Sequence, residues 1–151
     1  MASMQITFDG FKDLATELDR MGGNLKAATN EALEATFDIV QNNLKSAASK
    51  YAAPNPKTGR TGKMYKAIKV DKDVEWTGDV AKIGVGFDLN APGGVHSIFI
   101  MYGTPKHRVN HPGINKDTKV YNAIRGSNTQ SEIASKQEEI LKKYLSMGGK
   151  K

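Results

Sequence analysis

The sequence NLKAATNEALEATFDIVQNNLKSAA, residues 24–48, decides the fold of this chain. It is rich in alanine, lacks glycine and proline, and repeats its small and apolar residues every three or four positions, as one face of a helix does. We therefore predict a long helix that opens after Gly22-Gly23-Asn24 and runs to about Ala48. Its buried stripe is expected to be Leu25, Ala28, Ala32, Leu33, Thr36, Ile39, Val40, Leu44 and Ala47.

The residues before this helix predict a short strand and another helix. Gln5 to Phe8 alternate as a strand does, and Asp9-Gly10 can cap a helix. The apolar face of that helix would carry Phe11, Leu14, Leu18 and Met21. We expect residues 1–3 to be a cloning remnant ahead of a natural start at Met4.

The composition changes abruptly between Ser49 and Gly62. Prolines and glycines that break helices and central strands fall there, namely Pro54, Pro56, Gly59 and Gly62. Loops of this length are uncommon inside compact domains and tend to be functional or disordered. We predict a long flexible loop over residues 49–65.

An antiparallel hairpin is predicted after the loop. Its first strand alternates apolar with charged residues, and its second alternates again after a turn at Thr77-Gly78-Asp79. The apolar positions are Ile68, Val70, Val74 and Trp76, then Ala81, Ile83, Val85 and Phe87. Asn90 to Gly94 form a second turn. Val95 to Tyr102 fit a third strand or a short buried helix equally well, because periodicity cannot separate the two over so few residues.

The C-terminal third predicts an exposed basic loop and two helices. Thr104 to Pro112 form the loop. Asn115 is expected to cap a helix that runs to about Arg125, with Val120, Tyr121 and Ile124 facing inward. After a break at Gly126 to Asn128, a capping box of Thr129 and Glu132 would open the last helix. That helix would bury Ile133, Ile140, Leu141, Tyr144 and Leu145, and residues 146–151 are expected to form a flexible tail.

The length and composition limit the class of protein. A chain of 151 residues fits a single domain, residues 1–151, and without cysteine it has no disulfide and no thiolate site. It has no apolar run of about 20 residues and no secretory signal pattern, so we expect a soluble protein with no membrane partner. The net charge of +6 is uneven: residues 1–50 carry 5 basic and 7 acidic side chains, and residues 51–151 carry 17 and 9.

The sequence offers little support for catalysis. His107 and His111 have a spacing that could share a metal on a helix, and a metal-dependent enzyme built on them and His96 is an alternative, but Pro112 and the polar surroundings favour solvated loop histidines. The carboxylates of Asp71, Asp73 and Glu75 fit a solvent-facing strand at least as well as an acid and base pair. The Gly84 and Gly86 pair lies inside a strand pattern and does not resemble a phosphate cradle. We therefore predict no enzyme, no cofactor and no metal site.

Two clusters of basic residues could contact phosphates or an acidic protein. The first recurs at every third position and consists of Lys57, Arg60, Lys63, Lys66, Lys69 and Lys72; the second is Lys106, His107, Arg108, His111 and Lys116. Apart from Tyr65, neither carries interleaved aromatic residues, which argues against sequence-specific reading of nucleic acid. The simplest interpretation of the two clusters is solvated charge on a loop. The functional interpretation is a nucleic-acid-binding accessory protein.

The order of these features resembles a bacteriophage family, the minor tail or tail-completion proteins of the siphophage neck. The family pattern of G-x-x-x-L, then T-G-x-L-x-x-S-I, then Y-A-x-x-x-E-x-G-T is similar to three stretches here: Gly10 to Leu14, Thr61 to Ile68 (TGKMYKAI) and Ile98 to Thr104 (IFIMYGT). The sequence departs from the pattern at Met101, which stands where the family has a glutamate. The segment that follows Gly103-Thr104 is also longer than in the family.

The resemblance implies an α+β fold in which long helices pack on a small, mainly antiparallel sheet. It also implies a virion protein that forms a ring, expected to be a hexamer, between head-connector proteins and the tail-tube and tail-terminator proteins. The genome would pass close to such a ring, so its basic surface could line the DNA path.

Two segments are the expected assembly contacts, Tyr51 to Tyr65 and Pro105 to Ile114. A Pro/Gly loop and a basic arm are poor core material, but they can order on a neighbouring subunit. The residues expected at the interface are Pro54, Pro56, Lys57, Arg60, Thr61, Gly62, Lys63, Tyr102, Gly103, Thr104, Lys106 and Arg108.

Overall fold

The computed structural model describes residues 4–5, 24–106 and 112–148. Several predictions fall outside these residues: the strand beyond Gln5, the helix from Phe11 to Met21, the remnant at 1–3 and the residues His107, Arg108 and His111. In chain order the elements are β1 (Met4–Gln5), α1 (Leu25–Ala47), a 3-10 turn (Ser49–Tyr51), α2 (Lys63–Lys66), β2 (Val74–Thr77), β3 (Val80–Val85), α3 (His96–Tyr102), α4 (Thr118–Arg125) and α5 (Ser127–Gly148). The chain is an α+β protein whose helices pack on a small antiparallel sheet.

Helix α1 is the centre of the fold, as predicted. The Asn24 side chain caps it by accepting a hydrogen bond from the Ala27 backbone N–H at 3.0 Å. Its apolar stripe contacts the sheet, α4 and α5. Phe37, which the predicted stripe lacked, is among the most buried side chains, at 1% exposed.

The sheet has the order β1-β3-β2, and every pairing is antiparallel. The predicted hairpin is confirmed, with Val74 opposite Ile83 and Thr77 opposite Val80 across the turn. Its first strand is shorter than predicted: Ile68 still bridges to Phe87, but residues 70–73 leave the ladder, and the Lys69 carbonyl accepts a hydrogen bond from the Gln41 side-chain amide at 2.8 Å. Val70 is consequently 64% exposed and does not belong to the core.

Residues 96–102 form a helix, which settles the choice that periodicity left open. The following helix is capped by Asp117 and not by Asn115: the Asp117 carboxylate accepts hydrogen bonds from the N–H groups of Lys119 and Val120. The Asp117 N–H donates to the Ile100 carbonyl at 2.7 Å, and this bond fixes where α4 can begin. Val120 and Ile124 are buried, and Tyr121 is half-buried.

Helix α5 begins at Ser127, so the predicted capping box is wrong. The Thr129 hydroxyl donates to the Asn122 carbonyl of α4 at 2.8 Å, and Glu132 accepts from the Asn43 amide of α1. The predicted apolar face of α5 is confirmed, but the helix continues through Gly148 into the expected tail. None of the helices in the described ranges combines the length and apolar character that crossing a membrane requires.

One polar contact lies inside the interface between α1 and α5. Gln137 and Thr36 are both buried, and the Gln137 amide donates to the Thr36 hydroxyl at 2.7 Å. The Thr36 hydroxyl donates in turn to the Ala32 carbonyl at 2.9 Å. A buried amide needs such a partner, so this pair fixes the register of two otherwise apolar helix faces.

Candidate assembly surface

The Pro/Gly segment of residues 49–62 folds into a closed turn, which we call the anchored turn. After the 3-10 turn, Asn55 and Arg60 pair through two backbone hydrogen bonds of 2.8 and 3.1 Å. Pro54, Pro56 and Lys57 are exposed around its tip. Local backbone hydrogen bonds therefore give this Pro/Gly segment a defined turn.

The T-G motif at the end of the anchored turn has a structural explanation. Gly62 has φ of +75°, and a Cβ there would lie 2.6 Å from the Ala52 carbonyl oxygen. Only glycine tolerates both conditions without strain. Thr61 and Lys63 on either side of it are exposed, whereas Met64 is in the core.

Asp117 joins the anchored turn to the start of α4. The Tyr51 hydroxyl donates to the Asp117 carboxylate at 2.7 Å, and the Lys50 ammonium lies 2.6 Å from the same oxygen. The Asp117 side chain is only 7% exposed. The Arg60 guanidinium lies 5.0 Å from the centre of the Tyr51 ring and donates to the Lys50 carbonyl. A single carboxylate thus holds a turn that has little apolar core of its own.

The charges of this junction shift three pKa values. Burial pushes the pKa of Asp117 up, but hydrogen bonds from Lys50, Tyr51 and the Val120 N–H outweigh it and lower the pKa below its ordinary value. The hydrogen bond to Asp117 raises the pKa of Lys50. Burial, followed by the bond to Asp117, raises the pKa of Tyr51. The junction therefore favours an ionised carboxylate with two protonated partners.

The G-T motif at the end of α3 is explained in the same way. Gly103 has φ of +74°, and a Cβ there would lie 2.8 Å from the Ile114 carbonyl oxygen. Thr104 and Ile114 form a bridge in which the Ile114 N–H also donates to the Thr104 hydroxyl at 2.9 Å. Met101 is in the core, which accounts for the apolar residue where the family pattern has a glutamate.

Helix α3 exposes apolar side chains beside this motif. Val95, Phe99 and Tyr102 share one face at helical spacing, and with Ile114 they form what we call the α3 patch; each is 40 to 51% exposed. The Tyr102 ring meets the Tyr121 ring edge to face at 5.8 Å. The Lys116 ammonium lies 3.6 Å from the centre of the Tyr121 ring, so positive charge borders the patch.

The structure links several of the expected interface residues through Asp117. The Arg60 guanidinium lies over the Tyr51 ring, and the Tyr51 hydroxyl binds the Asp117 carboxylate. The Tyr102 ring packs against the ring of Tyr121, which lies one helical turn after Asp117. Sequence reasoning missed Lys50, Asp117 and Phe99 as members of this surface, whereas Ile114 lies at the end of a segment expected to make assembly contacts. Reading residues 95–102 as a helix would have separated the exposed Phe99 from Ser97 and Met101, which are buried on the other face.

The other sequence candidates lie elsewhere. The lysine run does not form one row of free cations, because Arg60 binds within the anchored turn and Lys72 is paired with Asp38 at 2.7 Å. His96 is exposed, and no group of three metal-ligating side chains occurs within the described ranges. Asp71, Asp73 and Glu75 are exposed, but only Glu75 lies in a strand, so the predicted strand face is confirmed there alone.

Comparison with known proteins gave no match to a family model, a curated protein or a solved structure. The similarity to tail-completion proteins therefore consists of the three short motifs alone. Backbone geometry explains Gly62 and Gly103, the glycines of two of these motifs. The exposed residues beside those glycines are the ones available for function.

Proposed function

We propose that this chain is a structural, non-enzymatic component of a phage virion, a tail-completion protein of the neck. It acts by associating with copies of itself in a ring, expected to be hexameric, and with tail-tube, tail-terminator and head-connector proteins. The observation that carries the proposal is the α3 patch, which exposes apolar and aromatic side chains directly at the motif that resembles the family.

Exposure of this kind favours an association surface. Single apolar residues on a surface are ordinary, but four of them clustered with a tyrosine pair and a cationic border are typical of a protein interface. Val95, Phe99 and Tyr102 project from one short helix, and Ile114 is beside its end. Because each side chain is already about half buried, covering the rest of it would stabilise a complex by about 1 kcal/mol.

The anchored turn supports the same function by being ordered in advance. Its bridge between Asn55 and Arg60 and its attachment to Asp117 fix the backbone around Pro54, Pro56 and Lys57. A segment that is already ordered loses less conformational entropy when it binds. The turn can therefore contribute contacts that a flexible loop would make only at an entropic cost.

The test is the mass of the purified protein in solution across a concentration series, together with its binding to isolated tails that lack it. We expect rings, or monomers that assemble only on tails. The double variant Phe99→Ser, Tyr102→Ser should weaken assembly by tenfold or more, since two lost contacts of about 1 kcal/mol each correspond together to more than about tenfold in affinity. Met147→Ser, at another exposed apolar residue, should leave assembly unchanged.

A rival outcome is a monomer that ignores tails and binds DNA at physiological salt, with affinity that falls steeply as salt rises. That result would favour a nucleic-acid-binding accessory protein. The intramolecular contacts of Arg60 and Lys72 count against it, because two of the six cations in the lysine run are already engaged.

A further inference from the structure

We propose that the hairpin of one copy docks on the α3 patch of the next, which would make the ring contact head to tail. This inference rests on the proposed function and specifies which surfaces meet. The docking segment, which we call the acidic arm, comprises residues 70–79. Its exposed members include Val70, Asp71, Asp73, Glu75 and Asp79.

The two surfaces are opposite in charge. The acidic arm has four carboxylates, and its single lysine, Lys72, is held by Asp38 of α1. By contrast, the sequence has no carboxylate between Asp88 and Asp117, the stretch that contains the whole α3 patch. Complementary charges of this kind steer partners together and fix their orientation.

The position of the charged groups matches this pairing. The Lys116 ammonium borders the α3 patch because it lies over the Tyr121 ring. The backbone nitrogen of Lys106 lies close to Gly113, which immediately precedes Ile114 of the patch. On the acidic arm, Glu75 has Lys82 opposite it in the hairpin register. No ion pair of Asp71, Asp73 or Asp79 is present in the part of the chain that the structure describes, so these three are the carboxylates available to a partner.

The acidic arm also offers apolar surface. Val70 is 64% exposed where the chain leaves the sheet, and Val80 is exposed beside the hairpin turn. Strand β2 is at the edge of the sheet, with one side free of strand pairing among the described residues. Exposed valines flanked by carboxylates match an apolar patch flanked by lysines.

A second copy in this orientation is favoured over a symmetric contact. Docking one α3 patch on another would place Lys106 and Lys116 against their own counterparts, and like charges brought together at an interface destabilise it. The patch is carried by α3, which packs on α4, whereas the arm belongs to the hairpin, which packs on α1. Two different surfaces on one chain make a heterologous contact, and such contacts form a ring when the rotation between successive copies closes.

Complementary charge reversal tests the pairing. One variant, Asp71→Lys with Asp73→Lys, reverses the arm, and the other, Lys106→Glu with Lys116→Glu, reverses the patch border. Each variant alone places like charges in every contact, so its self-association should weaken by more than about tenfold. An equimolar mixture offers opposite charges in both kinds of contact and should restore assembly, with the two chains alternating.

The readouts are the mass by sedimentation, the composition of the restored assembly by native mass spectrometry, and circular dichroism to show that each variant folds. Lys136→Glu on α5 is the control for changed net charge and should assemble normally. Loss in each variant with recovery in the mixture supports the inference. Rings that persist in either variant, or a mixture that does not recover, overturn it.

The same experiment separates this inference from the proposed function. If the charge variants form normal rings and bind tails, the neck function stands while the arm and the patch are not the contact. If the unaltered protein neither self-associates nor binds tails, both are overturned. If the variant Lys106→Glu, Lys116→Glu assembles normally but loses DNA binding, the patch binds nucleic acid and the inference is overturned.

Discussion

The interface between α1 and α5 and the surface around Asp117 are held together by different kinds of contact. Between the two long helices, apolar stripes pack face to face, and the one buried polar pair, Thr36 with Gln137, is fully matched. Around Asp117, the chain is held by a carboxylate and its hydrogen-bond donors, while apolar residues such as Phe99 point outward.

The two regions differ in role: the α1 and α5 interface stabilises the fold, and the Asp117 surface displays the residues proposed to bind partners. Apolar burial stabilises in proportion to the area removed from water, so the α1 and α5 interface stabilises the fold through many side chains. The Asp117 surface depends on a few residues with particular geometry, and it leaves its apolar side chains uncovered. A protein that works by association needs both regions, since the first supplies the rigid body on which the second is displayed.

Paired phenylalanine variants give the largest expected effect. Phe37→Ala removes a core ring and should lower the free energy of unfolding by about 3 to 5 kcal/mol. Phe99→Ala removes an exposed ring of the α3 patch and should change stability little but weaken assembly. Denaturant unfolding and sedimentation of the two variants check this. Equal loss of stability in both would break the distinction between the two regions.

Helix periodicity predicted the α1 and α5 interface well because a long apolar stripe contains many residues that fit the same period. Helix α1, the hairpin turn and the apolar face of α5 all followed from spacing alone. The errors fell at tertiary contacts: the Gln41 amide binds the Lys69 carbonyl where the strand pairing is interrupted, and the Asp117 N–H binds the Ile100 carbonyl where Asn115 was expected to cap the helix. Such contacts join residues far apart in the chain, and local patterns do not contain them.

The candidate surface was predictable only in part. The glycines and prolines marked the anchored turn, but its attachment depends on Tyr51 meeting Asp117, which is 66 residues away in sequence. The α3 patch was hidden because residues 95–102 fitted a strand as well as a helix, and the two alternatives expose different side chains. Local sequence could therefore locate the segments but not the face that they present.

A pair of glycine variants in the anchored turn should give the next largest effect. Gly59→Ala and Gly62→Ala both force alanine into a left-handed backbone, which costs about 1 to 2 kcal/mol. Only Gly62→Ala also drives a Cβ against the Ala52 carbonyl, and such overpacking adds about 1 to 3 kcal/mol. Thermal unfolding of both variants measures the difference. A Gly59→Ala variant as unstable as Gly62→Ala would show that the close contact is unimportant.

The smallest effect concerns Asp117, and it depends on pH. Asp117→Asn keeps a side chain that can cap α4 but loses the charge that binds Lys50, at a cost of about 1.5 to 3 kcal/mol near neutral pH. The pKa of Asp117 lies below the ordinary value of 3.8 in the folded protein, so the ionised form stabilises the fold. That contribution is complete above pH 3.8 and is lost as the pH falls through the lower, folded value.

Unfolding of the parent protein and Asp117→Asn should therefore differ most at neutral pH and converge in acid. Asp79→Asn, at an exposed carboxylate of the hairpin turn, is the control and should track the parent protein throughout. A difference that stays constant down to the most acidic measurable pH would mean that the carboxylate's charge does not hold the anchored turn. The Asn55 and Arg60 bridge would then have to order it alone, and Asp117→Asn should leave assembly unchanged.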